Sequence, residues 1–106
     1  YNNKRNMSTK EAVFLMVKTI PKGKDETYGQ IARLVYTGPR VVGKYLHQNK
    51  DPKTVPCHRV VHADGSLAPS YAFGGSNKQM QILIKEGVNF KNYKVNLNSS
   101  LWTSIP

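Results

Sequence analysis

A single cysteine, Cys57, stands in a chain of 106 residues. It has no partner within the chain, so no disulfide framework can hold the fold together. One cysteine and three histidines (His47, His58 and His62) also lack the paired spacing of a structural zinc site. Long apolar runs are missing. The longest, Ala12–Val17, has six residues, against the ~20 needed to span about 30 Å of hydrocarbon. No apolar stretch ending in small residues marks a secretory signal. Acidic residues are scarce: six Asp and Glu face sixteen Lys and Arg, for a net charge of +10. The excess is uneven, with ten basic and three acidic residues in 1–50 and six and three in 51–106. Charge alone leaves two explanations open, a polyanionic partner or plain solubility. The lone free thiol points to a reducing, intracellular compartment, the nucleus in a eukaryote or the cytoplasm in a prokaryote.

What is present fits one compact domain. Residues 1–7 read as a mobile polar leader and residues 8–106 as the domain. Ser8 and Glu11 form a capping-box pair that opens a first helix. Val13, Met16, Val17 and Ile20 share one of its faces, and Pro21 and Gly23 stop it. Thr27 and Gln30 repeat the pattern for a second helix with Ile31, Leu34 and Val35 on its apolar face. Thr37-Gly38-Pro39 makes a tight turn into a third helix over Pro39–His47 that buries Val42, Tyr45 and Leu46. Two short helices joined by a glycine-containing turn predict a helix-turn-helix. Its second helix carries Arg40 and Lys44 outside the apolar stripe. Thr54–His62 is extended in character, and Asp64-Gly65 signals a hairpin or wing. A last helix begins near Ser76 with Gln79 at the capping-box position. Met80, Leu83 and Ile84 face inward, and Gly87 closes the helix. In the tail Val88, Phe90, Tyr93, Val95 and Leu97 partly alternate, which suggests a short strand or clamp with Trp102 folding back. The fold class is mainly α with a small β wing, a winged helix-turn-helix.

Chemistry concentrates in Val55-Pro56-Cys57-His58-Arg59-Val60-Val61. A thiol beside a His and an Arg sits in a field that favours thiolate, the reactive form. On a regular strand Cys57 and His58 would point to opposite faces, so contact between them needs a turn at Pro56–Cys57 or a bridging water. The competing explanation is a buried cysteine acting as a small hydrophobe.

Pro-Cys-His-Arg-Val, downstream of Thr27-Tyr28-Gly29-Gln30-Ile31-Ala32, resembles the DNA-binding domain of the O6-alkylguanine-DNA alkyltransferases. Arg40-Val41-Val42-Gly43, Asn49, an aromatic-plus-glycine loop and Lys85-Glu86-Gly87 follow the same order. The resemblance covers roughly Ser8 to Phe90. The tail, Tyr93-Lys94-Val95-Asn96-Leu97 with Trp102, is more similar to the alkyltransferase-like proteins, which have Trp where this chain has Cys57.

The resemblance implies direct, cofactor-free and metal-free repair by a monomer acting on double-stranded DNA that carries O6-alkylguanine, with no membrane partner. It makes Cys57 the alkyl acceptor, His58 its base through a water, Glu86 the residue orienting that His, and Asn49 the support of the active-site turn. It makes Tyr28 a phosphate and base contact, and Arg40 the plug for the gap left by a flipped nucleotide. Thr9, Lys10, Arg33 and Lys44 become phosphate contacts, and Val60, Tyr71 and Phe73 line the substrate pocket. Each residue also has a plainer account. Tyr28 can be packing, Arg40 a phosphate contact only, Glu86 a helix-end residue, and Asn49 or Thr9 a helix cap. His47 and His62 read as ordinary surface or packing residues. Departures from the family pattern are Gly29 after Tyr28, Ala63 in the wing, and Ala68-Pro69-Ser70-Tyr71-Ala72-Phe73-Gly74 in the substrate loop. They bear on substrate preference more than on chemistry. The first rival function is a non-catalytic sensor of alkylated bases that recruits another repair pathway, which the tail favours and against which Cys57 argues. The second is a winged-helix transcription factor, which has no need of Pro-Cys-His-Arg.

Overall fold

The computed structural model describes residues 7–69 and 71–103. The leader expected over residues 1–7 lies, Met7 apart, outside the described residues. Helix α1 spans Thr9–Lys18. Ser8 Oγ accepts from the Glu11 N–H at 3.1 Å and Glu11 Oε1 accepts from the Ser8 N–H at 2.9 Å. The expected capping box is therefore closed, and it satisfies amides that have no partner within the helix. Val13, Val17 and Ile20 are buried from this segment, each contributing about 1.5–3 kcal/mol of transfer free energy. Helix α2 (Tyr28–Leu34) opens on the same device, built by Thr27 and Gln30. It closes on a Schellman turn: the Thr37 N–H donates to Ala32 O at 2.9 Å while Tyr36 takes a left-handed φ of 60°. Helix α3 (Pro39–His47) starts with proline at its first turn and buries Val42 and Leu46. It packs across both α1 and α2, so the helix-turn-helix stands as the sequence predicts.

The stretch 54–62, expected to be extended, mostly is not. Pro56 makes an inverse γ-turn (φ −76°, ψ 70°), closed by the Cys57 N–H donating to Val55 O at 2.7 Å, and Cys57–Arg59 form a single 3-10 turn. Side chains occupy the carbonyls that a neighbouring strand would use. Asn49 Nδ2 donates to Val55 O at 2.8 Å and Gln79 Nε2 to His58 O at 3.0 Å. Only Val60–Val61 remains as strand β2, paired in parallel with β1, Glu26–Thr27. At Asp64-Gly65, the expected hairpin or wing, the chain makes a tight turn whose two ends are joined by the His62 N–H donating to Ser66 O at 3.0 Å, with Gly65 at φ +88°. Its Gly65 N–H returns to His62 O at 2.9 Å and Asp64 Oδ1 accepts from the Ser66 N–H at 2.9 Å.

The antiparallel pair lies instead in the tail, where β3 (Phe90–Lys91) meets β4 (Lys94–Val95). Asn92 and Tyr93 between them take positive φ of 54° and 65°, as a two-residue type I′ hairpin turn requires. Gly65 docks on β4 through the Val95 N–H at 2.8 Å. A Cβ there would strike the Val95 carbonyl oxygen. Helix α4 (Gly75–Lys85) begins one residue before Ser76, on Gly74 with no side-chain cap. Gln79, expected to cap it, is fully buried instead. Ile84, expected inward, is 52% exposed, while Ile82 and Leu83 face the core. Gly87 closes α4 as expected, with φ +94° and the Val88 N–H donating to Leu83 O at 3.0 Å. Helix α5 (Leu97–Ser100) ends the tail. Trp102 does fold back, packing against the main core. No helix among the described residues is long and apolar enough to cross a membrane.

Candidate active site

Cys57 sits on the wall of a cavity of about 470 Å³ bounded by α2, α3 and the loop before α4. Tyr28, Arg40, Tyr71 and Ala68 share that wall. Asn49, buried just beyond the end of α3, donates from Nδ2 to Cys57 Sγ at 3.3 Å as well as to Val55 O. Its own Oδ1 accepts from the Asp51 N–H at 3.0 Å. One amide thus fixes both the turn and the sulfur.

Behind the thiol lies a three-residue ionic cluster. His58 Nε2 stands 3.0 Å from Glu86 Oε2. Arg59 donates from Nε to Glu86 Oε1 at 3.0 Å, from Nη2 to Oε2 at 2.7 Å, and from Nη1 to Ile20 O at 2.8 Å. Burial opposes ionisation of Glu86, but hydrogen bonds from Arg59 and His58 outweigh it and hold the carboxyl below its usual range. Burial also pushes the His58 imidazole down, against the pull of Glu86. His58 is therefore neutral at pH 7. Its Nε2–H donates to the carboxylate, which leaves Nδ1 as the unprotonated, basic nitrogen.

The expectation of a thiolate-favouring field is corrected. Burial raises the Cys57 thiol above its ordinary value, and the Asn49 bond only partly offsets this. The neighbours in sequence do not supply the field: His58 is neutral, and it and Arg59 both turn toward Glu86. The resting state is a thiol, and any nucleophilic use of it needs a base. Tyr28 is pushed up to about 12 by burial and by the nearby Cys57. It keeps its proton at neutral pH.

Of the expected pocket residues, Tyr71 lines the cavity. Val60 is fully buried in the core, and Phe73 lies behind Tyr71, ring to ring at 5.8 Å. Arg40 is exposed on the cavity rim, while Lys44, Arg33 and Thr9 are exposed on α3, α2 and α1. Lys10 is half-buried, its Nζ 5.8 Å above the Phe14 ring, beside a separate groove between α1 and the segment after α3. Four residues escape the sequence reading. Arg59 holds Glu86, and Gln79 pins His58 O, Val60 O and the Ala68 N–H. His47 and His62, read as ordinary surface residues, line the cavity, and the His62 ring lies 4.9 Å from that of Tyr28. Adjacency to Cys57-His58 was the one available signal for Arg59; nothing in the spacing marks the other three.

Fold and site together define a helix-turn-helix domain with a cysteine at the base of a cavity and a His–Glu pair behind it. Residues 8–88 match the family described as 6-O-methylguanine DNA methyltransferase, DNA binding domain, and the chain belongs to that family. It is 44% identical over 81 residues to the methylated-DNA–protein-cysteine methyltransferase of Methanocaldococcus jannaschii, covering 76% of this chain and 47% of that protein. The chain thus spans about half the length of that curated relative. Among solved structures, S. pombe Atl1 in complex with damaged DNA containing O6-carboxymethylguanine superposes with a TM-score of 0.79 at 32% identity, covering 90% of this chain and 94% of that one. The O6-methylguanine-DNA methyltransferase of Pyrococcus kodakaraensis superposes with a TM-score of 0.65 at 35% identity, covering 74% and 46%.

Proposed function

We propose that this domain, spanning residues 8–106 and acting as a monomer, repairs O6-alkylguanine in double-stranded DNA by transferring the alkyl group to Cys57. The observation that carries this reading is Cys57 on the cavity wall, held by Asn49, with His58, Glu86 and Arg59 behind it. The thiol proton passes to His58 Nδ1 through a water, and Glu86 stabilises the imidazolium that forms. Sγ attacks the alkyl carbon; the C–S bond forms as the C–O6 bond breaks. Guanine leaves with the electron pair and takes up the proton. The thioether is stable, so each molecule acts once, and no cofactor is needed. A stacked base keeps its O6-alkyl carbon away from a recessed thiol, so the nucleotide must flip, at a cost of a few kcal/mol. Tyr28 donates a hydrogen bond to the flipped base and Arg40 fills the gap it leaves. Thr9, Lys10, Arg33 and Lys44 contact phosphates, which fits the +10 charge.

A second reading is a lesion sensor that recruits other repair factors. The near-full-length likeness to Atl1 supports it, as does a thiol raised by burial. Intact-protein mass after incubation with O6-methylguanine duplex separates the two. One added methyl on Cys57 per molecule is the result expected of repair. Unmodified protein bound tightly to the lesion would establish the sensor.

A further inference from the structure

Past residue 88, where the family match ends, the tail returns to the helix-turn-helix and bonds to it with its backbone and with buried polar groups. Asp25, fully buried just before β1, accepts from Ser100 Oγ–H through Oδ2 at 2.6 Å. Its N–H donates to Ser100 O at 3.0 Å and its carbonyl accepts from the Trp102 N–H at 2.7 Å. The Trp102 carbonyl in turn accepts from Gln30 Nε2 at 3.2 Å. Gln30 Oε1 meanwhile accepts from the Thr27 N–H at 2.8 Å, closing the α2 cap. One amide side chain is thus shared between the tail and the first turn of α2, and Tyr28 is the first residue of that turn.

The tail grips the opposite side of the same wall as well. The Val95 N–H donates to Gly65 O at 2.8 Å and Lys94 Nζ lies 3.3 Å from Asp64 Oδ2. These contacts fix the turn that follows His62, whose ring rests on Tyr28. A segment that only covered a core would need apolar contacts alone. Burying a carboxyl and a hydroxyl costs free energy unless they are bonded; Asp25 and Ser100 bond each other three residues before Tyr28, and the Gln30–Trp102 bond lies two residues after it.

We propose that Asn96–Trp102 is a strap that positions Tyr28 for the nucleotide, acting through Gln30 and Asp25; this rests on the repair reading above. Gln30 and Ser100 are positioning residues and do not touch substrate. Gln30→Glu keeps the acceptor for the Thr27 N–H and loses the donor to Trp102 O. Ser100→Ala loses the Asp25 bond without adding charge, and Ser100→Thr restores it. Three quantities are measured on each variant: hydrogen exchange of the Tyr28–Ile31 amides, transfer rate on O6-methylguanine duplex, and transfer rate on free O6-benzylguanine. Both lossy variants are expected to exchange those amides faster and to lose about two- to tenfold on duplex, the size of one lost hydrogen bond. The free-base rate stays within about twofold, and Ser100→Thr recovers the duplex rate. Equal losses on both substrates, or unchanged exchange and duplex rate with only a lower melting temperature, would overturn the strap. If the wild type transfers nothing, the repair reading fails. The strap is then judged on amide exchange alone, and unchanged exchange refutes it.

Discussion

Removing Arg59 should damage this protein more than removing Cys57, although only the cysteine reacts in the proposed chemistry. The Arg59 and Glu86 side chains are 16% and 9% exposed. Arg59→Leu removes two hydrogen bonds to a nearly buried carboxylate and one to Ile20 O. Breaking a buried pair from one side costs about 3–5 kcal/mol, because the remaining charge stays desolvated. At about 4–8 °C per kcal/mol for a domain of this size, the melting temperature falls by at least about 12 °C. Glu86→Leu leaves Arg59 with Ile20 O and partial access to water, so it costs less. The double variant Arg59→Leu/Glu86→Leu strands no charge and should be more stable than the sum of the singles by about 2–3 kcal/mol. Urea unfolding of the wild type and the three variants measures the cycle. A single-variant loss below about 1 kcal/mol, or additivity within about 0.5 kcal/mol, would show that the pair behaves like an exposed one and that Glu86 is not held in place by Arg59. The pH dependence follows from the same cluster. Both His58 and Glu86 titrate below their ordinary values in the folded state. At these two groups the unfolded chain therefore binds more protons, and the stability they contribute rises with pH; Asp25, raised by burial, works the other way in acid. Wild-type stability should fall as pH drops below about 6.5, the ordinary imidazole value, and fall further below about 4.3, the ordinary glutamic acid value. A flat profile between pH 7 and 5 would contradict a neutral, buried His58.

Cys57→Ala should abolish alkyl transfer and keep lesion binding, measured by adduct mass and gel shift; a variant that still removes methyl groups would sink the mechanism. Arg40→Ala should lose roughly ten- to a hundredfold on duplex repair, equivalent to about 1.4–2.7 kcal/mol of unstacking cost, while its rate on free O6-benzylguanine barely changes. Equal losses on the two substrates would mean that Arg40 supports the fold or the thiol. Affinity for duplex DNA should fall with salt at a log–log slope of about −3 to −4.5, from three to five phosphate contacts, with the same slope on alkylated and unmodified duplex. A flat response would make the positive charge a solubility feature.

The local devices were legible in the sequence because each depends on residues a few positions apart. Ser8 with Glu11, Thr27 with Gln30, Pro39 at a first helical turn and Gly87 after a last one each act within one turn of helix. The Pro-Cys-His-Arg string was legible as chemistry for the same reason, since the reactive groups are contiguous. Three-dimensional packing decided everything that depends on partners distant in sequence. Gln79, 21 residues from His58, left its capping role because burial required its amide to bond the carbonyls of the Cys57 turn. Asn49 and Gln79 together drew those carbonyls away from any neighbouring strand, so an extended-looking stretch became a turn. Ile84 faces water because the buried stripe of α4 runs through Gln79 and Leu83, four residues apart, and Ile84 lies 100° round the helix from Leu83. The thiol's ionisation was set the same way. Close to Cys57 in sequence stand a His and an Arg, but in space both side chains face Glu86, 28 and 27 residues away, and burial keeps the His neutral. Burial then outweighs the Asn49 hydrogen bond at the sulfur and keeps it protonated. Sequence names the neighbours of a charge along the chain, whereas its pKa answers to the neighbours that the fold brings within a few ångströms.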